Sequence, residues 1–472
     1  EELRSRPDPL IDYPGTARRR RAVLEPAFER FRRHHLGVAP SPRGATFLAF
    51  RDRGGEPLRD HCVFEALHEH VLATDRARWA WWDWPRGYRK PDDPAVVAFA
   101  REREHRVAFF AWLQWLADEQ LAGVQARAEG AGMRLGLYRD LAVGVNPAGS
   151  LGWSRPDVVI RRAAIGAPPD AFSPKGQNWG LAPLAPRALE AAAFAPWIAD
   201  IRANMRHAGA LRIDHVMGLR RLFWVPEGGS PEDGAYVRYP FTTMAAILAV
   251  ESHRARCVVV GEDLGTLPRG FRPALRKAGI LSCRVFYFER ERNKGFAPAR
   301  RYRQASVASV STHDLPTLRG FLEEQDIDWR ARLELFHSAE EVEQNRRERG
   351  RDRVRLLRLL QRAGLIEGAN PTLEEVALAL HRWLARTPAA LMLVQVEDLT
   401  LQLEQTNLPG TTTEHPNWSR RLEPDVEGLL AAPFAQRMLR MLREERPRDG
   451  RDPPDLPPEQ RTARRVVLAG RG

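Results

Sequence analysis

From residue 133 onward, short apolar runs of strand length alternate with helical stretches, and most of these runs are followed by an acid. The runs are Leu135–Tyr138, Leu211–Ile213, Cys257–Val260, Val285–Phe288, Val307–Val310 and Leu391–Val396. Strands separated by helices read as βαβ units and a parallel sheet. The expected fold class is therefore α/β, as a (β/α)8 TIM barrel with helical insertions. In such a barrel the C-terminal strand ends converge on one face, and the active site lies there.

The acids fall at those ends. Asp140 closes the first run, Asp214 the second, and Glu262 with Asp263 the third; His313 and Asp314 follow VASVST, and Glu397 and Asp398 close the last. One such acid is most simply a helix N-cap. Acids after strand upon strand fit that reading poorly, because converging carboxylates repel and raise one another's pKa values. Glycoside cleavage needs such a cluster. In the retaining form one carboxylate attacks the anomeric carbon, and a protonated carboxyl about 5 Å away serves as acid and then base. Spacing alone carries the reading as far as a sugar-processing barrel.

The rest of the chain frames this region. Residues 1–60 read as an arginine-rich lead-in, helical at first and loop-like over 37–60. Residues 61–130 have apolar positions at three- and four-residue spacing and read as a helical insertion, interrupted by the Trp79–Trp84 cluster, which we expect to be packing. Residues 131–320 hold barrel strands three to seven, 321–388 a charged helical insertion, and 389–442 the last strand and closing helix. The tail at 443–472 is dense in Arg, Pro, Asp and Gly and is expected to be disordered.

Composition excludes several classes. The net charge is +12, but Lys90, Lys175, Lys277 and Lys294 are the only lysines, and the arginines are interspersed with acids. That pattern reflects an arginine preference more than a nucleic-acid footprint. No run of apolar residues is long enough to span a membrane. Three cysteines, Cys62, Cys257 and Cys283, make neither a disulfide framework nor a metal site. Cys257 and Cys283 are expected as buried fillers, and a cytoplasmic location fits best.

Longer stretches carry a family resemblance. ALRIDHVMGL (210–219), VVVGEDLGTLP (258–268) and STHDLPTLRGF (311–321) resemble the catalytic segments of 4-α-glucanotransferases, the amylomaltases of glycoside hydrolase family 77. GLYRDLAVGV (136–145), IGAPPDAFSPKGQNWGLAPL (165–184) and NLPGTTTEHPNWSRRL (407–422) agree, in order, over roughly residues 60–440. The resemblance implies Asp214 as nucleophile, Glu262 as general acid/base and Asp314 as transition-state stabiliser. It implies that Arg212 holds the nucleophile ionised and oriented, that Asp140 supports the site, and that His215 and His313 bind sugar hydroxyls. Asp170, Gln177 and Trp179 match the loop over the donor glucan, and Asn417 and Trp418 the loop near the acceptor. Trp153 and Trp224 read as core or supporting residues.

The implied activity is transfer of α-1,4-glucan segments between oligosaccharide donor and acceptor, by a monomer or homodimer without metal or cofactor. An α-amylase-type hydrolase and a truncated, inactive glucan-binding chain are the alternatives. Nothing in residues 1–60 resembles the family's first two strands, and LIDYPGTA (10–17) resembles the segment after them. The chain is thus expected to lack two barrel strands and to be unstable or poorly active alone.

Overall fold

The computed structural model describes residues 8–169, 175–292 and 294–447. The chain forms two compact units, Pro14–Gly279 and Glu1–Tyr13 with Ile280–Gly472.

The first unit opens with four helices, α1 (Tyr13–His35), α2 (Pro42–Thr74), α3 (Pro94–Glu102) and α4 (Glu104–Gly130). The loop expected over 37–60 is helical from Pro42. Ser41 caps α2 by accepting from the Gly44 N–H, and Pro42 stands where no N–H is needed. The glycines that suggested a loop instead mark a kink, where Gly55 takes φ 54° and ψ −147°. Every residue from Val107 to Trp112 of α4 is buried, so this stretch of the helix is surrounded. Phe28 and Phe31 of α1 and Phe47 of α2 pack on Trp112 and Trp115. Trp84 and Trp153 are fully buried beside Phe64, and the Trp153 indole N–H donates to the Tyr88 carbonyl at 2.9 Å. Trp84 is thus packing, as expected of its cluster, whereas Trp79 at the cluster's edge is exposed.

Seven strands follow: β1 (Tyr138–Leu141), β2 (Ala163–Ala167), β3 (Gln177–Asn178), β4 (Ala210–Ile213), β5 (Arg221–Pro226), β6 (Ala235–Arg238) and β7 (Val258–Gly261). β1, β4 and β7 pair in parallel in that order. β3, β2, β5 and β6 form a separate antiparallel sheet that the sequence reading did not anticipate. Its strands are brief and Gly- or Pro-bounded, so no alternation marks them. β1 lies three residues later than the run Leu135–Tyr138, because polar Arg139 and Asp140 belong to the ladder.

The second unit holds β8 (Leu281–Val285), β9 (Ser306–Ser309) and β10 (Leu391–Met392), again parallel, with β9 between the others. The run expected as a strand over 285–288 is a 3-10 turn at Phe286–Phe288, preceded by β8. β10 is only two residues long, and Val396–Leu399 is already a helical turn. The charged helix Ala339–Arg362 buries Leu356 and Leu360 and is fastened by ion pairs: Arg349 to Asp326 at 2.7 Å and Arg290 to Asp352 at 2.7 Å. The helix Pro433–Glu445 extends into the tail expected to be disordered, whose residues beyond 447 lie outside the described ones. Cys62 and Cys257 are buried; Cys283 is only half-buried, since it alternates on β8 with inward-facing Ser282 and Arg284. No helix among the described residues is long and apolar enough to cross a membrane.

Candidate active site

Strand register builds one cluster of candidate residues, within the first unit. Asp140, Arg212 and Val260 are neighbours across β1, β4 and β7, and one step on, Leu141, Ile213 and Gly261 are neighbours. Asp214 and Glu262 are the residues that follow. The backbone continues the ladder past both: the Asp214 N–H donates to Leu141 and the Glu262 N–H to Ile213, each at 3.0 Å. Two carboxylates from chain segments 48 residues apart are thereby set side by side at one strand edge.

Arg212 ties this edge together. One guanidinium nitrogen lies 2.7 Å from Asp214 Oδ1, and the other donates to both Asp140 oxygens at 2.7 and 2.8 Å. Burial opposes its charge, but Asp214 and Asp140 more than offset that, so its pKa is raised and it stays a cation.

Glu262 is treated differently. Burial, seconded by the charge of Asp214, pushes its carboxyl up to about 7, against the opposing backbone donors and Arg212. Its oxygens accept from the His215 N–H at 3.1 Å and from the Leu264 N–H. The His215 amide reaches it because the chain turns sharply after Asp214, with His215 left-handed at φ 44°. Val216 then crosses the end of β7, and a Cβ on Gly261 would sit 2.8 Å from its side chain, so this crossing requires glycine. Burial and then the charge of Arg221 push the His215 imidazole down to about 4, leaving it a neutral hydrogen-bonding ring at pH 7.

Trp179 stands edge-on to His215 at 5.2 Å between centroids, and its indole N–H donates to Gln177 Oε1 at 2.9 Å. The segment matched to the loop over the donor glucan is thus partly strand: the Trp179 N–H donates to the Ile165 carbonyl, and Gln177 pairs with Ala167. Asp170 lies outside the described residues. Trp224, on β5, pairs with Ile165 on β2, a supporting position.

The second unit presents Asp314, five residues beyond β9. Its Oδ1 accepts from the Asn407 side-chain amide at 2.7 Å, and its Oδ2 lies 3.3 Å from His313 Nε2. The Trp418 ring rests on the His313 ring at 5.0 Å, and half of Trp418 remains exposed. Asn417 holds its own loop: its Oδ1 accepts from Leu408 N–H and His415 Nδ1, and its amide donates to Thr411. Of the acids at the last strand, Glu397 accepts from the Thr406 hydroxyl at 2.9 Å, and buried Asp398 accepts from the Leu318 N–H at 3.0 Å. The sequence reading passed over Asn407; its one available signal was its place at the head of the NLPG stretch.

A carboxyl with a pKa raised to about 7, next to a carboxylate clamped by arginine and both at parallel strand ends, is an arrangement that glycosidic-bond chemistry can use. The comparisons with known proteins agree with that class. The chain belongs to the 4-alpha-glucanotransferase family, glycoside hydrolase family 77, whose profile matches residues 1–427. It is 42% identical over 394 residues to the 4-alpha-glucanotransferase of Mycobacterium tuberculosis, a match covering 82% of this chain and 53% of that one. With the Haemophilus influenzae 4-alpha-glucanotransferase it shares 38% identity over 431 residues, 87% of this chain and 60% of that one. The amylomaltase structure from Corynebacterium glutamicum superposes with a TM-score of 0.78 at 30% identity, covering 92% of this chain and 60% of that one. The amylomaltase from Streptococcus agalactiae in complex with acarbose has the same fold, with a TM-score of 0.73 at 19% identity, covering 93% of this chain and 80% of that one. The chain spans a little over half the length of these two curated relatives.

Proposed function

We propose that this chain carries the catalytic machinery of a 4-α-glucanotransferase acting on α-1,4-glucans by retaining double displacement. Asp214 attacks the anomeric carbon while Glu262 gives its proton to the departing 4-oxygen, leaving a glucosyl ester on Asp214. Glu262, now ionised, takes the proton from the 4-hydroxyl of an incoming glucan, whose oxygen displaces Asp214 and restores the α-linkage. Arg212 holds Asp214 ionised and aimed, with Asp140 holding Arg212. Asp314 is read as the stabiliser of the cation-like transition state, with His215 and His313 on sugar hydroxyls. Asp170, Gln177, Trp179 and Asn417 are assigned to the loops flanking donor and acceptor, Gln177 by orienting Trp179 and Asn417 by shaping the acceptor loop. The helical segments at 61–130 and 321–388 are read as insertions around this machinery, in a cytoplasmic monomer or homodimer.

The observation that carries the reading is the contrast between Glu262, pushed up to about 7, and Asp214, paired with Arg212. The test is incubation of the native protein with maltotriose. Transfer releases glucose and builds longer maltodextrins at a constant total of reducing ends. A rise in that total identifies a hydrolase, and no change at all denies the activity.

A further inference from the structure

We propose that Asn407 is a positioning residue for Asp314: it fixes the carboxylate in the rotamer that faces the sugar, and the 404–418 loop exists in part to hold Asn407 still. The inference rests on the reading of Asp314 as transition-state stabiliser.

Asn407 grips the Asp314 segment twice. Its backbone N–H donates to the His313 carbonyl at 3.0 Å, and its side-chain amide donates to Asp314 Oδ1 at 2.7 Å. One contact fixes the main chain just before Asp314 and the other holds the carboxylate itself. The second oxygen faces His313 Nε2 at 3.3 Å. The two oxygens are therefore held from different sides, one by a neutral amide and one by an imidazole.

Asn407 is itself immobilised. Buried Gln405 donates to its carbonyl at 2.6 Å. Thr406, before it, donates through its hydroxyl to Glu397 and accepts from the Trp418 N–H at 2.9 Å. Leu408, after it, is buried and donates to Asn417 Oδ1 at 2.9 Å, and Asn417 is held in turn by buried His415. At the start of the loop, Glu404 accepts from Trp329 at 2.7 Å and Gln325 at 2.8 Å and pairs with Arg420 at 3.2 Å. So many bonds converging on one short loop give it the rigidity that a catalytic carboxylate's support requires. An amide suits the task better than a cation. It orients Asp314 without neutralising the charge that the transition state needs.

The test uses Asn407→Leu and Asn407→Asp in the native protein, with Asp314→Asn as control, assayed by maltotriose disproportionation. Asn407→Leu keeps the shape and removes the donor; it is expected to lower kcat about 10- to 100-fold with KM changed less than about threefold. Asn407→Asp sets a like charge against Asp314 and is expected to move the acid limb of the pH profile upward, a shift that a merely structural role would not produce. If Asn407→Leu does not fold, the isosteric Asp variant carries the test. Normal kcat in Asn407→Leu, or an unmoved acid limb in Asn407→Asp, overturns the inference while an inactive Asp314→Asn leaves the underlying reading standing. An active Asp314→Asn removes that reading and this inference with it.

Discussion

Arg212 reaches Asp214 at 2.7 Å with one nitrogen while its other nitrogen takes both oxygens of Asp140. The planar guanidinium is thereby locked between two carboxylates on adjacent strands, and Asp214 is held by a cation that cannot release its proton in the working pH range. The register Asp140↔Arg212 makes the arrangement a property of the sheet rather than of a loop.

A lysine cannot bridge both carboxylates with a rigid fork. Arg212→Lys is expected to lower kcat about 100-fold, equivalent to about 2.7 kcal/mol of transition-state stabilisation. Asp140→Asn, which loosens Arg212 without touching Asp214, is expected to lose about 10-fold. Steady-state kinetics on maltotriose check both, and equal losses would mean that Asp140 is more than a support.

In the proposed mechanism Glu262 must carry a proton to start the reaction. With its carboxyl raised to about 7, activity is expected to fall as pH rises through that value. The alkaline limb of kcat/KM against pH reports it directly, and Glu262→Gln is expected to abolish transfer.

The same shift affects stability. Folded Glu262 holds a proton up to about 7, whereas the unfolded chain releases it near 4.5, so stability from this group is full below 4.5 and is lost as pH rises toward and through 7. Glu262→Gln is therefore expected to be more stable than the native protein at pH 8, by on the order of 2 kcal/mol, and equal to it at pH 4. Thermal midpoints at the two pH values measure the difference.

The aromatic cluster of the helical segment has a plain structural role. Trp153 is fully buried against Phe64 and Trp84 and bonded to the Tyr88 carbonyl. Trp153→Ala is expected to destabilise the unit by about 3–5 kcal/mol, read by chemical denaturation, through the cavity and the orphaned carbonyl it leaves.

How much of this was legible in the sequence depends on what marks each element. β4 and β7 are apolar runs ended by an acid, and both stand where the pattern places them. β1 slid by three residues because its Arg139 and Asp140 look like loop residues until Arg212 is placed beside them. The antiparallel sheet was hidden, since Gln177–Asn178 has no apolar signature and gains its strand identity only from Gly166 and Ala167 opposite. Among the candidate residues, Asp214, Glu262 and Asp314 stood out by type and position. Asn407 did not, because its meaning lies in a contact 93 residues away with Asp314. Asn417 matched the loop near the acceptor, and its bonds to Leu408, His415 and Thr411 within that loop became visible only in the structure.

The central claim is the division of labour between Asp214 and Glu262. Its most direct measurement is mass spectrometry of the Glu262→Gln variant of the native protein, quenched after exposure to an α-maltosyl fluoride. That donor needs no acid to depart, and without the base its ester should accumulate. The account predicts a maltosyl adduct on the peptide that contains Asp214. An unmodified peptide in a variant that still turns over the fluoride, or an adduct on any other residue, would contradict it.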